Sequence, residues 1–596
     1  MNRQEKLIVA FLFAVMLVWV FLYRPRGRVR QVPEPTEPAP AEAALPPESE
    51  PAARVPAGAL PEPEPETADA PPEIRSEPSE PRADEQRIVL SNDHIRVMLS
   101  SWGAAVVSAE LTEYPATRNR DSGPVRLDLG SGPALSLTGL PGLSTNCDYA
   151  VSGGDGGSAV TFTRTTSEGL RLERRIALGR GTVLNVRDVF SHERAGTVPL
   201  PAYGVAVGPM QMIASRASTR GVSYLGLDAL PEQGGAGVVH WGKKVVPSLF
   251  GPRPSMLSCA RADTSHMPER VSHHTGVAAA WAASKNKFFV QILSVKGGSS
   301  DVVLHAVRNT EASRGLVVSG VAAEMILAET FVEPGDALVR EMTYYVGPKD
   351  YSVLKELGQH RQAVMELGWR GGFFGWMGAI LMWLCPALLW MLKALYAVIP
   401  NYGVAIILLT LIVKIVFWPV THKSTESMKK MQKIQPLVSE LRAKYRDKPQ
   451  RMNQEIMALY KEHKVNPMAG CLPVLIQIPV FIALFTVLRS AVELRFAGFL
   501  WIRDLSEPEG LLADVLPIPL NILPLFMTAT TVLQQKLTPT AGDPQQQKMM
   551  ALMPVVFLFI FYNMPSALVL YWSTNQCLSI GQLLLQRRRT APGAEG

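Results

Sequence analysis

The sequence predicts a multi-domain membrane protein. It has an all-α transmembrane core of five helices with an N-terminal anchor helix, an all-β antiparallel extracytoplasmic domain and a cytoplasmic helical hairpin. Three observations carry this. Apolar runs just long enough to cross a bilayer's hydrocarbon core recur after residue 400. Residues 87–345 instead carry short alternating strand signals separated by Gly-, Ser- and Asp-rich turns. A loop dense in Lys and Arg, residues 422–466, follows the first core run and is assigned to the cytoplasm by the positive-inside rule.

The chain of 596 residues is 47% hydrophobic with a formal net charge of +7. Its basic residues cluster beside apolar runs, which fits membrane orientation and gives no compact basic domain for nucleic acid. The first segment, 1–23, pairs a charged head with an apolar run from Leu7 to Tyr23 and lacks a small-x-small cleavage site after it, so a retained anchor is expected. Arg24, Arg26, Arg28 and Arg30 oppose a head-in orientation. Residues 24–85 are Pro-, Glu- and Ala-rich and read as a disordered linker. Segments such as RIVLSNDHIRVMLS, LRLERRIAL, KFFVQILSV and VREMTYYV then give a β-sandwich over 86–350. Cys147 and Cys259 share this domain, and whether they pair is left open. The adjacent His273 and His274 point in different directions on any regular element and read as a loop pair. No CxxC pair, phosphate loop, HExxH or nucleophile elbow occurs, so no catalytic residue, cofactor or metal is expected.

Tyr351 opens a helix leading to the membrane, and 351–400 reads as connecting and interfacial amphipathic helices. Trp369, Trp376, Trp383 and Trp390 recur every seven residues, an aromatic stripe suited to the membrane surface. Were 371–400 and 402–420 both to span, the basic loop and the β-domain would share one side; an interfacial 371–400 avoids this. Residues 401–421 form the first core span. It is apolar from Val404 to Trp418 except for Thr410 and Lys414, which share a helix face four residues apart. A lysine there costs about 2.5–3.5 kcal/mol on insertion scales. Either that face lines a polar intramembrane cavity, or Lys414 snorkels to the surface. Residues 422–466 show helical spacing on both sides of a turn at 446–450, giving an antiparallel hairpin.

Four further apolar runs fill 467–586, followed by a short basic tail, 587–596. They are rich in polar residues: Gln477, Asn521, Thr528, Thr530, Thr531, Gln534, Ser573, Thr574, Asn575 and Gln576. With one lysine and no obvious intramembrane carboxylate, this fits a wet groove better than dry packing.

KVNPMAGCLPVLIQIPVFIAL (464–484), SAVELRFAGFLWIRDLS (490–506), LTPTAGDPQQQKMMALMPVVF (537–557) and PSALVLYWSTNQ (565–576) closely resemble the YidC membrane-protein insertase family in its Gram-negative form. The resemblance implies an inner-membrane protein with both termini cytoplasmic and a periplasmic β-supersandwich similar in fold to sugar mutarotases. It also implies a hydrophilic groove open to cytoplasm and lipid. The family's groove arginine falls on Lys414, and its substrate-contacting positions on Thr410, Ile478, Phe481 and Trp572. Lysine keeps the charge but loses the bidentate fork. With Gln477, Asn575 and Gln576, these residues make the candidate groove. The implied partners are nascent membrane proteins, the lipid bilayer, the Sec translocon, and the ribosome and signal recognition pathway through the 422–466 hairpin. The implied function is insertion and folding aid for membrane proteins, alone or with Sec. Two other classes remain: a periplasmic sugar-modifying enzyme, needing paired acid and base groups, and a transporter, needing inverted repeats.

Overall fold

The computed structural model describes residues 84–589, apart from 154–156, 195, 212–224, 233–236, 242–271, 312–314, 368–374, 447, 464–471, 512–519 and 538–543. The expected N-terminal anchor, residues 24–83 of the linker, Cys259, Trp369 and the tail beyond residue 589 lie outside the described residues. Among the described residues every strand pairing is antiparallel. A nine-stranded sheet runs in the order Val239–His240, Gly226–Pro231, Ala279–Lys285, Phe289–Val295, Ala337–Pro348, Val183–His192, Leu170–Leu178, Ala159–Thr165, Ala150–Gly153. A five-stranded sheet containing Asp301–Glu311, Gly315–Leu327 and Tyr203–Gln211 accompanies it, with a four-stranded sheet over Arg87–Asp128. Period-two patterning explains the core. Leu170, Leu172 and Ile176 alternate with exposed neighbours, while the strand Phe289–Val295 is buried at every position.

One inward position breaks that pattern. Arg174 takes the place between Leu172 and Ile176, directly opposite Asp188 on the next strand. Both are fully buried and make a bidentate pair, Nε to Oδ1 at 2.7 Å and Nη2 to Oδ2 at 2.6 Å. Nη1 also donates to the carbonyls of Ala104 and Leu135, at 3.2 and 2.5 Å, so the guanidinium's charge is compensated inside the core.

The expected helix from Tyr351 is shorter than its pattern implied. Helix α1, Tyr351–Glu356, is capped by Asp350 and followed only by a 3₁₀ turn, Arg361–Met365. Gly358, Gln359, His360 and Glu366 all adopt left-handed backbone, with φ of 72°, 49°, 56° and 52°. That conformation stops a right-handed helix. The β-domain holds the segment in this path. Trp281 Nε1 donates to the Gln359 carbonyl at 2.9 Å, and Lys285 Nζ donates to the Val364 carbonyl at 2.8 Å.

The helical part comprises α2 (Gly375–Val398), α3 (Tyr402–Val416), α4 (Trp418–Lys444), α5 (Pro449–Glu462), α6 (Leu472–Ser490), α7 (Ile522–Leu537), α8 (Pro544–Phe561) and α9 (Ser566–Arg589). Among the described residues only Met377–Val398 of α2 is long and apolar enough to cross a membrane by length and composition. Its 24-residue helix tolerates Pro386, buries Leu381, Cys385, Leu388 and Leu392 on one face, and leaves Trp383 and Trp390 exposed on another. Helix α3 ends at Val416, earlier than the expected 401–421, because Pro419 cannot extend the hydrogen-bond ladder and opens α4 instead. Its 15 residues give about 22 Å, short of a hydrocarbon core of about 30 Å. Helix α4 ends at Lys444 and α5 begins at Pro449, so the break between them falls near the expected turn at 446–450.

Candidate functional site

Helices α3, α6, α8 and α9 bring the predicted groove residues into two neighbouring clusters. On α3, Lys414 is half-buried and aims at α9: its Nζ donates to Ser579 Oγ at 2.6 Å and to Asn575 Oδ1 at 3.4 Å. Ser579 Oγ in turn donates to the Asn575 carbonyl at 2.7 Å, four residues back along the same face. No carboxylate lies within ion-pair distance of Lys414 among the described residues. Its positive charge is therefore met only by neutral acceptors.

The second cluster is aromatic. Trp572 of α9 stands edge-on to Phe481 of α6, with ring centroids 5.1 Å apart, and packs against Phe557 and Phe561 of α8 at 5.6 and 5.3 Å. Trp572 lies seven residues before Ser579, about 10 Å along α9. Beside it, Gln477 Nε2 donates to Tyr571 OH at 2.6 Å, tying α6 to α9. Ile478 is half-buried one residue on, and Gln576 is buried on α9. Trp572 Nε1 and Ser573 Oγ are buried and have no hydrogen-bond partner among the described residues.

Several expected groove residues are placed otherwise. Thr410 is buried, and its hydroxyl donates to the Ile406 carbonyl of its own helix at 2.6 Å. Thr528 and Thr531 likewise donate to carbonyls four residues back, and Thr530 to the Met527 carbonyl. These threonines satisfy themselves and require no water. Asn521 belongs to a different structure, a knot of loop 504–511 across the ends of α7 and α9. Its Oδ1 accepts from Gly510 N and its Nδ2 donates to the Tyr562 carbonyl. Glu509 accepts from the backbone N–H groups of Ile522 and Leu523, capping α7. Burial pushes the Glu509 and Asp504 carboxyls above their ordinary values. From the β-domain, Lys287 Nζ reaches this loop, 2.8 Å from the Ser506 carbonyl and 2.7 Å from Glu507 Oε1. Sequence reasoning missed Ser579 and Tyr571. Ser579 was findable, since it continues the Asn575 face by one turn.

A metal-like group occurs elsewhere. Asp228, His240 and Glu366 bring ligating atoms within 4.8 Å of one another. The Lys285 ammonium, 2.5 Å from Asp228 Oδ2 and 2.9 Å from Glu366 Oε1, already supplies the cation there. His273 and His274 lie not in a loop but on a short edge strand, Ser272–His274, paired with Asp301–Glu311; His273 is exposed and His274 pairs with Asp301.

Residues 394–592 match the family model of the 60 kDa inner membrane protein, and residues 257–384 that of the YidC periplasmic domain. A membrane protein insertase YidC from Geobacter sp. strain M21 is 34% identical over 449 residues, covering 74% of this chain and 73% of that protein. The namesake from Pelobacter propionicus is 42% identical over 305 residues. That match takes in 51% of this chain and 53% of the relative, about half its length. A crystal structure of an active YidC insertase with its first transmembrane domain resolved is 18% identical, covering 84% of this chain and 92% of that one, with a TM-score of 0.33. A putative aldose 1-epimerase from Escherichia coli K12 covers 44% of this chain, and all but 1% of its own, at 10% identity and a TM-score of 0.29.

Proposed function

Because this chain belongs to the YidC membrane-protein insertase family, we propose that it inserts nascent membrane proteins into the bacterial inner membrane through a groove beside α3, α6, α8 and α9. It does so without a catalytic reaction of its own. The observation that carries the reading is Lys414: an ammonium within an apolar helix, facing neutral acceptors, with no carboxylate partner among the described residues. Such a charge is costly in lipid and is retained where it meets a ligand or water. It draws in the polar, often acidic, flank of an incoming span. The client's apolar part meanwhile slides into lipid along the outer side of α6 and α8, where α8 exposes Leu552, Val555 and Phe559. The shortness of α3 supports local bilayer thinning, which lowers the barrier to transfer.

In this reading the β-domain is periplasmic, and α4 and α5 form a cytoplasmic hairpin that docks the ribosome, the signal recognition pathway or Sec. Helix α2 lies along the outer membrane surface. Two contacts support that placement: Cys385 Sγ reaches the Leu367 carbonyl at 3.4 Å, and Lys393, about 12 Å further along, pairs with Asp350 and Glu493 at 2.8 Å each. Residues well apart on α2 thus stay beside the exit of the β-domain and beside loop 491–511.

The test is insertion of matched acidic-flank and neutral-flank clients into proteoliposomes, read by protease protection. Lys414→Arg is expected near wild type and Lys414→Glu worst. Lys414→Ala loses about 10- to 100-fold for acidic clients, the size of a Coulomb attraction of about 1.4–3 kcal/mol at an effective dielectric of about 20. Equal insertion of both clients by wild type and Lys414→Ala refutes the groove-charge mechanism.

A further inference from the structure

We propose that the hairpin tip at residues 499–502 is a membrane anchor that seats Leu500 and Trp501 in the headgroup-to-acyl boundary of the outer leaflet. Two backbone hydrogen bonds close the tip: Phe499 N–H to the Ile502 carbonyl at 2.9 Å and Ile502 N–H to the Phe499 carbonyl at 2.8 Å. Leu500 holds a left-handed backbone, φ 51°, and is 76% exposed; Trp501 is 46% exposed. A leucine in that conformation is disfavoured, and Phe496, four residues earlier, is held likewise at φ 59°. The fold thus sustains strained backbone to present two apolar side chains outward. Their neighbours Ile502 and Leu505 are buried, so the exposure belongs to the tip alone.

The tip is fixed to the ends of two core helices. The Phe499 ring rests on the first turn of α3, where a Cβ added at Gly403 would stand 2.1 Å from Phe499 Cγ. Trp501 Nε1 reaches Glu509 Oε1 at 3.4 Å, and Glu509 caps α7. The two helices that hold the tip expose apolar side chains of their own, Leu411 and Ile415 on α3 and Leu525 and Phe526 on α7. Tryptophan is suited to a boundary where one end of the ring is wet, and the exposed Arg503 beside it suits a lipid phosphate. A two-residue tip is far smaller than a stable protein interface, about 800 Å² per partner, so lipid is the occupant that fits.

The proposal rests on the membrane reading above, and the experiment separates the two. Full-length protein with its native cysteines replaced receives a single probe site, Leu500→Cys, with Trp501→Cys as a second position should the first misfold. Each carries an environment-sensitive fluorophore and sits one copy per nanodisc of phosphatidylethanolamine and phosphatidylglycerol. Quenching by lipids spin-labelled near the headgroup or deep in the acyl chain is compared with quenching by aqueous iodide. Phe559→Cys on α8 reports the membrane reading, and Ser158→Cys in a β-domain turn reports free solvent. The anchor predicts that shallow spin label quenches the tip probe severalfold more than the Ser158 probe, and that iodide quenches it severalfold less. Iodide access at the tip equal to that at Ser158, with Phe559 still quenched by the deep label, overturns the anchor alone. Loss of deep-label quenching at Phe559 overturns the membrane reading and the anchor with it.

Discussion

Lys349 gives the sharpest test of the β-domain's electrostatics. It directly follows the strand Ala337–Pro348, is 7% exposed, and lies among Lys285, Arg489, Asp228 and Glu366. Burial, followed by the charge of Lys285, pushes its ammonium down from 10.5 to about 7, against the smaller pull of Glu366 and Asp228. In the unfolded chain the ordinary value returns. Between these two values the unfolded state holds the proton and the folded state does not, so protonation favours unfolding and stability rises with pH. Integrated from pH 7 to pH 9, the linkage amounts to about 2 kcal/mol, or about 4–8 °C in thermal midpoint for a domain of this size. Lys285 is held above its ordinary value by Asp228 and Glu366, outweighing its own burial, and stays charged throughout that window. Buried tyrosines such as Tyr344, raised by burial, reduce stability only above about pH 10. Thermal midpoints of the full-length protein and of Lys349→Met, measured at both pH values at one scan rate, isolate the effect. The wild type is expected to gain several degrees on going to pH 9, and the variant to lose that gain. The same pH response in both proteins refutes the reasoning.

Asp188→Ala strands the Arg174 guanidinium in the core and is expected to destabilise the β-domain by about 3–5 kcal/mol, seen as a lower unfolding midpoint. Gly403→Ala drives a Cβ into the Phe499 ring, so a loss of about 1–3 kcal/mol is expected by the same measurement; an unchanged midpoint would mean that the loop yields freely. For topology, a cysteine at Lys444 should resist an impermeant reagent added from the periplasmic side, and one at Ser158 should react. The reverse pattern would sink the assigned orientation.

The β-domain was legible because its strands either alternate strictly, as in Leu170–Leu178, or run apolar throughout, as in Phe289–Val295. Leu170–Leu178 and Phe289–Val295 lie within segments marked as strands by sequence alone. What escaped was the cost and compensation of inward polar groups, since Arg174 reads as a solvent-facing residue until Asp188 appears opposite it. The segment 351–367 misled because distant contacts override its local pattern. Its apolar spacing is helical, but Trp281 and Lys285, about 80 residues earlier, hold Gln359, Val364 and Glu366 in a path that interrupts the helix.

In the helical part, the polar residues named from the sequence differ in what they bond. Gln477 and Asn575 face other helices, as a groove requires, whereas Thr410, Thr528, Thr530 and Thr531 return their hydroxyls to their own backbone. The distinction is one of reach. A threonine hydroxyl meets the carbonyl one turn back at little cost, so it reports nothing about water nearby. A glutamine or lysine side chain extends past its own helix and must find a partner elsewhere. Lys414 therefore carries more information than the threonines together: its ammonium reaches α9, and the acceptors it meets there, Asn575 and Ser579, leave its charge uncancelled. In the proposed reading, an uncancelled charge on a helix too short to span unaided meets passing polar flanks, about 10 Å along α9 from the aromatic cluster of Phe481 and Trp572.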